Sequence, residues 1–125
     1  MLQRESFVVI IDNTGALIGK VVWIPWSNSR KAWIWNIVNI AIQKSLPTSS
    51  IKAWQVVKAL IVRTKKEVRR TDGTYIRFSD NAVVVMDVDA KWEIKPKGKR
   101  ISWPLPKELR DLWYRNVTNL AEEVI

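Results

Sequence analysis

Hydrophobic and polar positions along the first two thirds of the chain follow a period of two, broken at short polar clusters. Ser6 to Ile11 is rich in β-branched residues and stops at Asp12-Asn13-Thr14-Gly15, a run typical of turns. Leu17 to Ile24 resumes the pattern and ends at Pro25. Within Trp35 to Gln43, Val38, Ile40 and Ile42 alternate with Asn39, Ala41 and Gln43, which predicts a half-buried strand. After the loop Pro47-Thr48-Ser49-Ser50, Val56 to Thr64 predicts a further strand, with Ala59, Ile61 and Arg63 on one face and Leu60, Val62 and Thr64 on the other. Asp72-Gly73 signals a hairpin turn, because both residue types tolerate φ > 0. Ala82 to Val88 is the next strand, and Lys91 to Arg100, with Pro96 and Gly98, predicts an exposed loop.

A helical pattern enters only at the end. Pro106 suits a first helical turn, Glu108 suits a helix N-terminus, and Leu105, Leu109, Leu112 and Trp113 share one face. Short strands followed by a terminal helix describe a mainly β fold, a small β-barrel with a helical C-terminal appendage. The expected organisation is a single domain over 1–125, with the barrel about 1–103 and the appendage about 104–125.

Composition narrows the function. The chain has 125 residues, 47% of them hydrophobic, which suffices for one core. Lys and Arg number 21 against 12 Asp and Glu, a formal charge of +9 that favours polyanions: nucleic acid first, an anionic membrane surface second. Cysteine and histidine are absent, so disulfides, thiolate nucleophiles, Ser-His-Asp triads and Cys/His zinc sites are impossible. The longest apolar runs, such as Phe7 to Ile11, fall far short of the roughly 20 residues of a membrane span, so no membrane partner is expected. The N-terminal residues read as neither signal nor transit peptide; the protein is expected to work where it is made, or to have lost any targeting piece.

The charge is concentrated. Arg63, Lys65, Lys66, Arg69 and Arg70, with the single acid Glu67, run up to the Asp72-Gly73 turn, and Arg77 follows it. An extended ribbon points successive side chains to opposite faces, so cations are expected on both sides, an arrangement suited to phosphate backbones. Lys95, Lys97, Lys99 and Arg100 form a second cluster, equally consistent with a solvated loop and with phosphate binding. Eight tryptophans invite base stacking, but Trp33 and Trp35 share a face with neither basic cluster beside it, which favours packing or a protein interface. Asp12, Asp72, Asp80, Asp87 and Asp89 mostly sit beside turn residues, where Asp caps backbone N–H groups. With no nucleophile and base pair and no glycine-rich phosphate cradle, neither enzyme, cofactor nor metal is expected.

Three stretches together resemble the universal ribosomal large-subunit protein fourteen family. The first is Met1-Leu2-Gln3 with Asp12-Asn13-Thr14-Gly15-Ala16. The second, and most specific, runs through Lys58-Ala59-Leu60-Ile61-Val62-Arg63-Thr64-Lys65-Lys66, Val68-Arg69-Arg70, Asp72-Gly73, Ile76-Arg77-Phe78 and Asn81-Ala82. The third is Gly98-Lys99-Arg100-Ile101, Pro104 and Glu108-Leu109-Arg110, with Glu123-Val124-Ile125 at the end. The match spans the sequence, with a small insertion near Asp87 to Pro96.

The resemblance implies a five-stranded β-barrel with a basic hairpin and short C-terminal helices, a structural constituent of the large ribosomal subunit. It implies binding to large-subunit rRNA, here through Arg63, Lys65, Lys66, Arg69, Arg70 and Arg77. It also implies contact with neighbouring large-subunit ribosomal proteins and, across the subunit interface, with small-subunit rRNA. A ribosome-silencing or anti-association factor would dock on the same face, where Lys99, Arg100 and Arg115 are the candidates; the family's further basic position falls at Asn116 here. An autonomous OB-like single-stranded RNA-binding protein is the alternative. Where the family carries Gly-Val-Gly-Asp, this chain reads Trp33-Ile34-Trp35-Asn36, and Trp103 also stands near a family glycine. A glycine codon lies one base from the opal codon, which some mitochondrial codes read as Trp. This points to an organelle-encoded protein of the mitochondrial ribosome, in the matrix, with the bacterial cytoplasm as the other location.

Overall fold

The computed structural model describes residues 2–3, 5–24, 31–32, 36–48, 51–88, 94–98, 100–101, 105–106 and 115–120. Its elements are β1 (Leu2–Gln3), β2 (Phe7–Ile10), β3 (Ala16–Trp23), β4 (Lys31–Ala32), β5 (Ile37–Ser45), β6 (Val56–Arg63), β7 (Val68–Arg69), β8 (Tyr75–Ile76), β9 (Ala82–Val88), β10 (Ile94–Pro96) and α1 (Arg115–Thr118).

Five of these strands close on themselves. β2, β3, β5 and β6 pair antiparallel in succession, β6 pairs with β9, and β9 returns to β2 in parallel through Val9↔Ala82 and Ile10↔Val83. The result is a closed five-stranded barrel, in which β2 covers only the Ala82–Val83 end of β9. Register shifts along β3 and near the end of β6 supply the local bends that a barrel this small requires. Inward-facing Val8, Ile10, Val21, Val38, Ile40, Ile42, Ala59, Ile61, Val83 and Val85 form the interior. The alternation read in β5 is realised, with Val38, Ile40 and Ile42 all fully buried.

From Ala59 onward in β6 and from Ala82 to Met86 in β9 both faces are buried, which explains why Ala82 to Met86 reads as a continuous apolar run. Outside the barrel wall, Leu60, Val62, Val84 and Met86 pack with Ile11 and with Ile101, Leu105 and Val117 from the C-terminal third. At about 1.5–3 kcal/mol for each large side chain removed from water, this second cluster holds the C-terminal segment to the barrel.

Two expectations change here. Lys91 to Arg100 is not simply an exposed loop: β10 pairs with β9 through Ile94↔Val88, Lys95↔Asp87 and Pro96↔Met86, occupying the length of β9 that β2 leaves open. The cause is an unsatisfied strand edge, which outweighs the polar composition of the segment. Among the described residues the C-terminal appendage holds one turn of helix, α1, together with buried Leu105. The expected helix face at Leu109, Leu112 and Trp113 lies outside the described residues.

Candidate nucleic-acid interface

The basic segment leaves the barrel at the end of β6 and returns at the start of β9. Its base is clamped by three contacts. The Arg63 guanidinium donates to Asp80 Oδ2 at 2.9 Å, Phe78 N donates to Thr64 O at 3.1 Å, and Lys65 N donates to Asn81 Oδ1 at 2.9 Å. Arg63 is 5% exposed and lies over the Phe78 ring at 5.9 Å. Burial holds its guanidinium below the ordinary arginine range, and the Asp80 carboxylate offsets only part of that shift. The charge of Arg63 is therefore answered inside the protein.

Beyond the clamp, β7 and β8 pair through Val68↔Ile76 and Arg69↔Tyr75. Arg70 N donates to Thr74 O, Gly73 N donates to Arg70 O, and Gly73 alone in the turn takes a positive φ, of 88°. This is a three-residue hairpin loop with a glycine in the left-handed position, not a turn with both Asp72 and Gly73 at φ > 0. Asp72 instead caps the loop, its Oδ1 accepting from Thr74 N at 3.0 Å and Thr74 Oγ1 at 2.6 Å.

The expected two-sided distribution of charge is resolved into unequal faces. Val68 packs against the outer cluster with Ile76 beside it, and Arg70, of the same strand parity, is half-buried. Lys65, Lys66, Glu67, Arg69, Tyr75 and Arg77 are exposed. A hairpin this short is marginal on its own, and the apolar contact at Val68 is what orients its cationic face outward.

In the second basic cluster, Lys95 pairs in register with Asp87 and Lys97 N donates to Val85 O, while Gly98 and Arg100 meet the first turn, which is built around a carboxylate. Asp12 Oδ1 accepts from Thr14 N and Thr14 Oγ1, its Oδ2 accepts from Val85 N, and its backbone bridges to Ile101. Burial outweighs these hydrogen bonds and raises the Asp12 carboxyl above its ordinary range. Asn13 Oδ1 accepts from Arg100 N at 3.2 Å. Gly98 is buried against the same turn; a Cβ there would lie 2.8 Å from Asn13 Oδ1 and 3.0 Å from Asp12 Cβ. Only glycine admits this approach, two positions before exposed Arg100.

Lys99, Trp33 and Trp35 lie outside the described residues, and Arg115 opens α1. The described tryptophans, Trp23 and Trp54, are 55% and 76% exposed. Trp54 sits at φ 70°, a conformation uncommon for a bulky side chain and invisible to strand periodicity. Tyr75 is the exposed candidate that sequence reasoning passed over, because its pairing with Arg69 follows from the three-residue loop rather than from the Asp72-Gly73 turn that the sequence signals.

The family model of ribosomal protein L14p/L23e matches residues 1–125, the whole chain. The chain belongs to that family. It is a structural constituent of the large ribosomal subunit, located on the ribosome, and not an enzyme. Ribosomal RNA and ribosomal proteins are the partners that the family implies. Among the described residues no helix is long and apolar enough to cross a membrane.

Proposed function

We propose that the chain, acting as one domain over 1–125, binds large-subunit rRNA through the exposed cations of the hairpin. Lys65, Lys66, Arg69 and Arg77 meet phosphates, Arg70 adds charge from the opposite side, and Arg63 positions the hairpin from within. The observation that supports this is the clamp: a hairpin tied at its base by Arg63–Asp80, Thr64–Phe78 and Lys65–Asn81 presents its cations at fixed places. Such contacts orient a protein on RNA without reading sequence. Arg100, with Lys99 and Arg115, contributes to the intersubunit face toward small-subunit rRNA and to docking of a silencing factor. Trp33 and Trp35 belong to an interface with a neighbouring ribosomal protein. Their presence at family glycine positions supports a mitochondrial ribosome.

The test is salt dependence. Arg69→Ala with Arg77→Ala should reduce the slope of log K against log salt by roughly 0.7–0.9 for each phosphate left without its cation. An unchanged slope in the folded variant, measured on an rRNA fragment, would remove the hairpin from the interface.

A further inference from the structure

The exposed face of the hairpin carries more than phosphate binding uses. Tyr75 is 65% exposed, and its register partner is Arg69, with Arg77 two residues further along the chain. Strand alternation sends Val68 toward the barrel, where it packs on the outer cluster, and thereby holds Arg69 and Tyr75 on the solvent side. Beside Tyr75 lies a shallow concavity of about 390 Å3 lined by Glu67, Tyr75, Ile76 and Arg77.

An aromatic residue with one arginine opposite it in register and another two positions along the chain is the composition of a stacking platform, since every base has a π-face and the cations track the flanking backbone. Glu67 is the discordant member. A carboxylate repels phosphate, so a surface that only bound backbone would be better without it. A carboxylate does, however, accept two parallel N–H bonds, and guanine is the RNA base whose Watson–Crick edge presents two adjacent donors, N1–H and the N2 amine.

We propose that this concavity receives one unpaired RNA guanine, stacked on Tyr75, with its Watson–Crick edge on the Glu67 carboxylate and its flanking phosphates on Arg69 and Arg77. The site rests on the RNA-binding reading above and adds base recognition to it. In this site Tyr75 supplies affinity that salt does not screen, and Glu67 supplies the preference among bases.

The test uses the full chain and short labelled oligouridylates carrying a central G, A, C or U, followed by anisotropy over a range of KCl. The G-containing RNA should bind tightest. Tyr75→Ala should weaken it by about 5- to 100-fold at every salt concentration with the salt slope unchanged. Tyr75→Phe should bind as the native chain does, and Tyr75→Leu, which keeps apolar bulk without a π-face, should follow Tyr75→Ala. Glu67→Gln should abolish the preference for G over U while all-U RNA binds at least as well. Equal binding of the four RNAs by the native chain, or native affinity in Tyr75→Ala, would overturn the site. If Arg69→Ala still lowers the salt slope in that case, the phosphate-binding reading stands alone; if it does not, both fall.

Discussion

Two carboxylates that the sequence marks only as turn residues have distinct jobs. Asp80 neutralises a guanidinium that is almost wholly buried. Asp80→Ala should cost about 3 kcal/mol, the lower end for breaking a buried pair because Asp80 is partly exposed. Arg63→Met in the same background should recover much of that loss, since an apolar side chain of similar length carries no unanswered charge; urea unfolding of the single and double variants measures both. Asp12 joins the first turn to β9. Its carboxyl is raised by burial, so the folded chain holds that proton more tightly than the unfolded chain. The stability it contributes is therefore full below the ordinary value of 3.8 and is lost as pH rises through the raised folded value. Asp12→Asn should flatten this part of the pH–stability curve. It should also destabilise the fold by about 1–3 kcal/mol near neutrality, because its amide must turn an N–H toward the Val85 or Thr14 donors. Denaturation at a series of pH values tests both effects.

Element by element, strand positions follow from periodicity wherever one face is wet, as in β5, and less completely where both faces are dry. The alternation in β6 correctly separates Ala59 and Ile61 from Leu60 and Val62, yet it carries no sign that the second face is also covered. That depends on Ile101, Leu105 and Val117 arriving from the C-terminal third. Leu60→Ala should cost about 2–5 kcal/mol, as much as Ile61→Ala inside the barrel. Only Leu60→Ala should also expose the C-terminal segment to limited proteolysis, because only Leu60 packs against it. Equal protease resistance of the two variants would contradict the assignment of the outer cluster as the segment's anchor. The hairpin shows the same division: Asp72-Gly73 announces a turn, but the three-residue loop and the face that Arg69 shares with Tyr75 emerge from pairing with β8.

At the scale of the whole molecule, the hairpin and the Asp12–Gly98 junction are separate outgrowths of one barrel. Arg100 is exposed beside that junction, with its backbone held by Asn13. Charge reversal of Lys99 and Arg100 to Glu should slow subunit joining or silencing-factor docking while large-subunit assembly proceeds, because charges at an interface rim act mainly on association. Sedimentation of large subunits carrying the variant, followed by joining kinetics, tests this; failure to assemble would reassign the pair to rRNA binding.

By itself the sequence determined the family, the β character and the basic hairpin, because turn chemistry, strand periodicity and charge density are local properties of the chain. Tertiary structure decided which cations are available. Arg63 and Arg69 stand six positions apart in one basic run, yet one is buried against Asp80 and the other is exposed opposite Tyr75. That outcome depends on which distant strand covers each face, and burial of a face is set by the packing partner rather than by the residues that form it.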